Sequence, residues 1–175
     1  MHSSGISCLI DQEVHMKIVI IGGVAGGASF AARMRRLNES AEITMLERGE
    51  FISFANCGLP YYIGDVITDR ANIIIYPKED FIKRFNVDVR VFSEAVKVDR
   101  AAKTVTVNNI KTGETYELTY DKLLLSMGAE PVRPPIDGVN DTGVLTLRNV
   151  ADMDRIKAYI DDNKPKSALI AGGGF

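Results

Sequence analysis

Cysteine, histidine and tryptophan are scarce in this sequence. Its 175 residues include two cysteines, Cys8 and Cys57, two histidines and no tryptophan. Two cysteines without a CxxC pair do not make the framework of a disulfide-rich secreted domain. His2 and His15 do not stand at ligand spacing from either cysteine, so no metal site is expected.

Excess charge and long apolar runs are also missing. The net charge is −2 at pH 7, which gives no reason to expect nucleic acid or a membrane surface as a partner. No apolar run approaches the roughly 18 residues that would span a bilayer. The N-terminus lacks the basic and then apolar pattern of a signal peptide, so a reducing cytoplasm is the expected location.

Residues 1–15 differ from the rest of the chain. Their sequence, MHSSGISCLIDQEVH, has neither a helical nor a strand period. Met16 stands directly before the first apolar run, and we expect it to be the natural start, with residues 1–15 a leader or tag-like tail. Cys8 is then a free thiol in a loose tail.

An α/β pattern begins after Met16. A strand over Lys17–Ile21, a glycine turn, a helix over Gly26–Leu37 and a strand over Glu42–Leu46 predict a βαβ unit with parallel strands. The packing side of the helix is expected at Ala28, Ala31, Ala32 and Leu37. The later patterns predict a helix over Lys78–Asn86 and a strand over Val87–Val91. A β-meander is predicted over Thr104–Val107 and Thr115–Leu118, followed by a buried strand over Lys122–Ser126. An amphipathic helix capped by Asn149 comes last.

The last residues are similar to the first strand and turn. KSALIAGGGF predicts a strand over Ala168–Ala171 that leads into three glycines, as KIVIIGGVAGG does near the start. We therefore expect a second nucleotide-binding unit that is cut off, and the chain to be a fragment. The expected class is α/β, with a Rossmann-like domain over residues 16–148. A linker helix and the first strand of a truncated second Rossmann unit follow over residues 149–175.

The segment GGVAGG, residues 22–27, lies between the first strand and the first helix. Glycines let a phosphate approach the backbone, and a helix N-terminus offers N–H groups to a pyrophosphate. Gly22 and Gly27 match the G-x-G-x-x-G pattern, whereas Val24 replaces its second glycine. Glu47 ends the second strand, where an acidic residue hydrogen-bonds a ribose. A tight turn without a ligand is the alternative.

Three arginines follow on the first helix, Arg33, Arg35 and Arg36. A solvated helix face is the simple interpretation of such a run. Contact of one arginine with a ligand phosphate is the alternative.

Cys57 stands in a loop of small and polar residues, between Asn56 and Gly58. A structural cysteine is usually found within an apolar run. The oriented N–H groups at a helix start favour a thiolate, which is nucleophilic at neutral pH. The residues alone leave a reactive and an inert Cys57 equally open.

Three segments resemble the pyridine nucleotide–disulfide oxidoreductases: GGVAGGASFAARMRRL, LERGEFISFANCGLPYYIG and LLLSMGAEPVRPPIDG. The resemblance covers Met16 to Phe175. It points to the branch with a single redox cysteine, which contains coenzyme A disulfide reductases, NADH oxidases and NADH peroxidases. SFANCGLPYYIG is most similar to the coenzyme A disulfide reductases and the related coenzyme A persulfide reductases, so the resemblance implies reduction of coenzyme A disulfide or persulfide.

The resemblance implies FAD as the cofactor and NADH or NADPH as the co-substrate. It places Cys57 beside the flavin, where the sulfur cycles between a thiolate and a mixed disulfide with coenzyme A. Arg36, Ser53 and Asn56 match substrate positions, whereas Phe85 stands where a further basic contact is expected. The cofactor-binding positions that it implies are Gly22, Gly23, Val24, Ala25, Gly26, Gly27, Glu47, Arg48, Val96 and Gly128.

One protein cysteine suffices for this chemistry if the substrate supplies the second sulfur. The resemblance implies a homodimer for the full-length protein, and little FAD binding or NADH turnover by a fragment. Two alternatives are kept: an NADH oxidase or peroxidase of the same branch, and a non-catalytic nucleotide-binding module.

Overall fold

The computed structural model describes residues 15–172. Its strands and helices are β1 (Lys17–Ile21), α1 (Ala25–Leu37), β2 (Glu42–Leu46), α2 (Leu59–Ile63), α3 (Lys78–Phe85), β3 (Asp88–Arg90), β4 (Ser93–Asp99), β5 (Thr104–Asn109), β6 (Thr115–Thr119), β7 (Lys122–Leu125) and α4 (Val150–Asn163). Two 3-10 helices, Asn56–Gly58 and Arg70–Ile73, flank α2. The interpretation of residues 1–15 as a tail, with Cys8 in it, lies outside the described residues except at His15.

Four strands form a parallel sheet in the order β3-β2-β1-β7. β1 pairs in parallel with β2 and β7, and β2 pairs in parallel with β3. A separate antiparallel sheet contains β4, β5 and β6 in that order. The α/β class, the βαβ unit and the meander that the sequence predicts are confirmed.

Both faces of β1 are buried, which explains its uninterrupted apolar sequence. Ile18 and Ile20 lie in one core cluster together with Ala31 of α1. Val19 and Ile21 point to the opposite face and pack with valines of β5 in a second cluster. Because successive strand residues alternate between faces, a strand covered on both sides needs apolar residues at every position.

A third cluster joins α4 to the segment between β2 and α3. Val150 and Met153 of α4 are 1% and 0% exposed and pack with Phe54, Leu59 and Ile73. The helix that the sequence predicts near its end is therefore part of the packed structure around Cys57.

Asn149 caps α4 as the sequence predicts. Its Oδ1 accepts the N–H of Asp152 at 2.9 Å, and the Asp152 carboxylate accepts the N–H of Asn149 at 3.3 Å. This reciprocal capping box satisfies donors at the helix start that have no intrahelical partner.

Three local predictions are wrong. The predicted buried strand over Lys122–Ser126 forms as β7, but none of its residues is buried, and Leu125 is 57% exposed. Leu37 is 63% exposed, because it follows buried Ala31 by six residues and so lies about 120° away around the helix. Residues Ala168–Ala171 form no strand in the described part of the chain, and Leu169 and Ile170 are 95% and 86% exposed. An apolar run becomes a parallel strand only by pairing with a neighbour, and the run alone does not supply one.

Arg35 joins the C-terminal ends of α1 and α3. Its Nε donates to the carbonyl oxygen of Phe85 at 2.9 Å, and its Nη2 donates to that of Asn86 at 2.7 Å. Its Nη1 donates to the carbonyl oxygen of Glu39 at 2.5 Å. Carbonyls at and beyond helix ends lack intrahelical donors, and one guanidinium satisfies three of them.

Arg35→Ala is expected to lower the free energy of unfolding by about 1–3 kcal/mol, because it leaves these carbonyls without a charged donor. Urea denaturation followed by circular dichroism measures the change. Arg33→Ala removes an exposed arginine from the same helix and should cost less than about 0.5 kcal/mol. Equal losses in the two variants would contradict the role given to Arg35.

Candidate nucleotide and thiol site

The turn between β1 and α1 is a tight backbone cradle. Gly22 has a φ of +99°, and a Cβ there would lie 2.4 Å from the carbonyl oxygen of Ser126. A Cβ at Gly27 would lie 1.8 Å from the carbonyl oxygen of Gly22. Glycine is therefore required at Gly22 for both conformation and space, and at Gly27 for space.

Val24 shows why the glycine pattern can be incomplete. Its φ of −90° is negative, so the backbone at this position does not adopt the left-handed conformation that favours glycine. Its side chain packs against the third core cluster. The valine thus connects the turn to the packing around α4.

Glu47 is held in place by backbone N–H groups on both sides of it. Its Oε2 accepts the N–H of Gly23 at 2.8 Å, and its Oε1 accepts the N–H of Gly49 at 2.8 Å. Each carboxylate oxygen has a second lone pair for a hydroxyl group. The carboxylate is therefore fixed at the glycine turn with acceptor capacity left for a ligand.

A cleft of about 500 Å³ opens at the carboxyl ends of the parallel strands. Ligands of open α/β sheets bind at this end of the sheet. The walls come from the glycine turn, the residues after β2, the start of β4, the residues after β7 and the start of α4.

Arginines and glutamates stand along the cleft. Arg48 forms an ion pair with Glu130, and its Nη1 lies 3.9 Å from Oε1 of Glu94. Arg148 donates from Nη2 to the carbonyl oxygen of Met127 at 2.9 Å. The Nε of Arg148 is buried and has no hydrogen-bond partner among residues 15–172, so this arginine retains a donor in the cleft wall.

A β-bulge in β4 lies beside the cleft. Ala95 pairs with Val107 and Lys97 pairs with Thr106, so Val96 is the extra residue between them. The N–H and C=O groups of a bulged residue leave the ladder and can bond elsewhere. Ala95 lines the cleft, and Val96 itself is 55% exposed.

The segment that carries Cys57, residues 53–75, is called the cysteine segment below. It begins at Ser53, whose φ of +46° is in the left-handed region. The N–H of Ser53 donates to the carbonyl oxygen of Gly23 at 3.0 Å, and its own carbonyl accepts the N–H of Ile75 at 2.9 Å. The segment is thus bonded directly to the glycine turn and closed on itself.

Cys57 lies in the 3-10 helix Asn56–Gly58, which leads into α2. Its thiol is free and the residue is exposed. Gly58 is buried, and a Cβ there would lie 3.2 Å from Cδ1 of Ile73. The turn therefore packs through Gly58 and Leu59 and presents Cys57 to solvent.

The cleft brings together most of the predicted cofactor residues, although their roles stay predictions. Gly22, Val24, Ala25, Gly26, Glu47, Arg48 and Gly128 line it, as does the predicted substrate residue Asn56. Gly23 and Gly27 are buried behind the turn. Four predicted residues do not line the cleft. Ser53 and Cys57 are sequence neighbours of the lining residues Phe54 and Asn56. Val96 lies in the bulge, and Arg36 is exposed in the last turn of α1.

Several cleft residues had no signal in the sequence. Glu94 and Ala95 of β4, Glu130, and Asn149–Ala151 at the start of α4 line the cleft. They come from elements distant in sequence, so only the tertiary arrangement assembles them. Residues 15–172 contain no cluster of His, Cys, Asp or Glu that could hold a metal ion. None of the helices there has the length and apolar character needed to cross a membrane.

The fold and the cleft define a Rossmann-type nucleotide-binding protein, with an exposed cysteine in a segment that is hydrogen-bonded to the glycine turn through Ser53. The sequence model of the pyridine nucleotide-disulphide oxidoreductase family matches residues 16–175. The chain belongs to that family.

Relatives of known name refine the comparison. The chain is 39% identical over 164 residues to a coenzyme A disulfide reductase of Staphylococcus haemolyticus, an alignment that covers 91% of this chain and 36% of the relative. It is 58% identical to the reduced CoADR-RHD of Bacillus anthracis, with a TM-score of 0.84 over 87% of this chain and 28% of that one. A NAD-dependent persulfide reductase from A. fulgidus is 36% identical, with a TM-score of 0.79 over 84% of this chain and 27% of the other. The chain thus spans about a third of the length of the curated relatives that it matches.

Proposed function

We propose that this chain is the FAD-binding part of an NAD(P)H-dependent reductase of coenzyme A disulfide or persulfide, with Cys57 as the redox residue. The observation that carries the proposal is the hydrogen bond from Ser53 N–H to the Gly23 carbonyl. It ties the cysteine segment to the turn that would hold the cofactor's pyrophosphate. The names of the reductases described above support the substrate class.

The residues of the cleft fit FAD. The turn at Gly22 and Gly27 leaves no room for a Cβ, so a pyrophosphate would meet backbone N–H groups at the start of α1. Glu47 would accept from the adenosine ribose, and the bulge at Val96 leaves backbone groups for the adenine edge. When bound, FAD would accept two electrons from NADH or NADPH and make them available to a disulfide.

Cys57 would carry the thiol chemistry. Its thiolate attacks one sulfur of coenzyme A disulfide, which forms a mixed disulfide and releases one coenzyme A thiolate. Two electrons then break the mixed disulfide, which restores the Cys57 thiolate and releases the second coenzyme A. The protein needs only one cysteine because the substrate brings the other two sulfurs.

Three further residues are proposed to bind the substrate. Ser53 and Asn56 both precede Cys57 in the cysteine segment, and Asn56 reaches the cleft wall. Arg36 is exposed on α1 and would pair with an anionic phosphate of coenzyme A. Phe85, where a basic contact is expected, is half-buried among aromatic rings, so it offers no charge.

The oligomeric state and the cellular compartment are further proposals. The free thiol of Cys57 supports a reducing compartment such as the cytoplasm. The resemblance supports a homodimer for the full-length protein. The division at residue 149 also stays a proposal, and α4 beyond it packs onto the cysteine segment.

Glu47→Gln is expected to weaken FAD binding about tenfold in the full-length gene product, because an amide loses the charge-assisted hydrogen bond to the ribose. Flavin fluorescence titration measures the dissociation constant. Glu42→Gln, at the exposed opposite end of β2 and outside the cleft wall, is the matched control and should bind as the parent does. An affinity unchanged by Glu47→Gln would contradict the ribose role.

An anaerobic assay of the full-length gene product tests the proposed function. We expect NADH or NADPH to be consumed in the presence of coenzyme A disulfide, with two thiols released per reduced nicotinamide. Consumption that requires oxygen or peroxide would instead identify the oxidase or peroxidase alternative. If NADH and NADPH are not consumed with any acceptor, the remaining alternative is a non-catalytic nucleotide-binding module.

A further inference from the structure

Helix α4 is the support on which the cysteine segment rests. Leu59 and Ile73 of the cysteine segment are 2% and 0% exposed, and they pack against Val150 and Met153 of α4. Apolar packing of this kind fixes the separation of two elements but permits sliding, because it is not directional. A directional contact is needed to set the orientation of the segment.

Arg70 and Asp154 form such a contact. Nε of Arg70 donates to Oδ1 of Asp154 at 2.8 Å, and Nη2 donates to Oδ2 at 2.7 Å. The Arg70 guanidinium also lies 5.3 Å from the ring centroid of Phe51. A bidentate pair has only one good geometry, so it fixes angle as well as distance.

The energetics favour orientation over stability as the role of this pair. Both side chains are 40% exposed, and pairs of such exposure contribute little to the free energy of folding. The hydrogen bond with Asp154 raises the pKa of Arg70 above its ordinary value, against the opposing effect of burial. Arg70 therefore stays charged at neutral pH.

The same helix reaches the cleft. Its capping residue Asn149 and its first residues, Val150 and Ala151, line the cleft wall. Nζ of Lys157, two turns further along, lies 2.8 Å from Oδ1 of Asp65 in the cysteine segment. One rigid element thus contacts the cleft at its start and the cysteine segment along its length.

We propose that Arg70, through its bidentate pair with Asp154, is a positioning residue that fixes Cys57 in relation to the cleft. Neither Arg70 nor Asp154 lines the cleft, so both act through the cysteine segment. The inference rests on the proposed function insofar as Cys57 is the redox residue. It goes beyond it by assigning the orientation of Cys57 to a contact made elsewhere in the cysteine segment, at Arg70.

Amide hydrogen exchange of the full-length gene product tests the positioning without any assay of activity. In Arg70→Ala and Asp154→Ala, exchange of peptides that cover residues 53–63 should accelerate about threefold, with β1 and β2 unchanged. The double variant should exchange within about twofold of either single variant, since the two side chains act as one. Arg155→Ala is the matched control, because it removes an arginine–aspartate pair within α4 and should exchange as the parent does.

Steady-state kinetics on the same proteins tests the consequence. Arg70→Ala should lower kcat for coenzyme A disulfide reduction about tenfold and leave both KM values within about twofold, because a misplaced thiol slows reaction rather than binding. Asp154→Glu keeps a carboxylate opposite Arg70 and should recover most of kcat. Failure of this conservative variant to recover more than Asp154→Ala would overturn the proposal.

The outcomes separate the two proposals. A parent enzyme that reduces neither coenzyme A disulfide nor coenzyme A persulfide refutes the proposed function, and hydrogen exchange alone then decides the role of Arg70. Exchange that is unchanged, or accelerated equally in β1 and β2, overturns the positioning role. A parental kcat in Arg70→Ala also overturns it.

Discussion

Cys57→Ser is expected to abolish the reduction of coenzyme A disulfide by the full-length gene product, with a loss of at least about 1,000-fold in kcat/KM. A serine hydroxyl forms no disulfide with the substrate, so no mixed disulfide would receive the two electrons. The reduction is measured as coenzyme A thiol released per NADH or NADPH consumed. FAD binding should be unchanged, because Cys57 is exposed and lies outside the cleft wall.

Cys8→Ser is the matched control for this experiment. Cys8 is the only other cysteine of the sequence, and its replacement should leave the activity within about twofold of the parent. Substantial activity in Cys57→Ser, or an equal loss in Cys8→Ser, would remove Cys57 from the mechanism.

Gly27→Ala is expected to distort the glycine turn severely. The new Cβ would lie 1.8 Å from the backbone carbonyl oxygen of Gly22 and 3.0 Å from Cγ2 of Ile20. The backbone of the turn would have to move, at a cost of about 3 kcal/mol or more in the free energy of unfolding. We expect FAD affinity to fall at least 100-fold, measured by flavin fluorescence, since the cradle loses its shape.

Two graded variants keep this prediction testable if Gly27→Ala does not fold. A Cβ at Gly26 would lie 3.2 Å from Cβ of Ser126, so Gly26→Ala should fold and bind FAD more weakly. A Cβ at Gly64 would meet only the carbonyl oxygen of Pro60, at 3.4 Å, so Gly64→Ala should bind FAD as the parent does. Parental affinity in Gly27→Ala would show that the turn does not hold the cofactor.

The central strands and the turn could be predicted from the sequence because local rules determine them. The run Ile18–Ile21 reads as a strand covered on both faces, and its two core clusters confirm this. Glycines at Gly22 and Gly27, with an acidic residue at the next strand end, predict the cradle that the structure contains. The capping box at Asn149 follows from residue types three positions apart.

The β-bulge and the ion pair between the cysteine segment and α4 could not be predicted, because they depend on contacts distant in sequence. The bulge at Val96 has no signature in the sequence of β4, and it is visible only from the register in which β4 pairs with β5. Arg70 and Asp154 are 84 residues apart, and neither stands in a motif. The run around Leu169 shows a different kind of error. Its sequence has the pattern of a strand, but in the described part of the chain it has no neighbouring strand to pair with and stays exposed.

Mass spectrometry of the Cys57 peptide tests the central claim most directly. The full-length gene product would be reduced, mixed with coenzyme A disulfide under anaerobic conditions, and digested without reductant. We predict one coenzyme A attached to Cys57 per chain, removed on addition of NADH or NADPH. An unmodified Cys57, or an adduct that the reduced nicotinamide does not remove, would contradict the account.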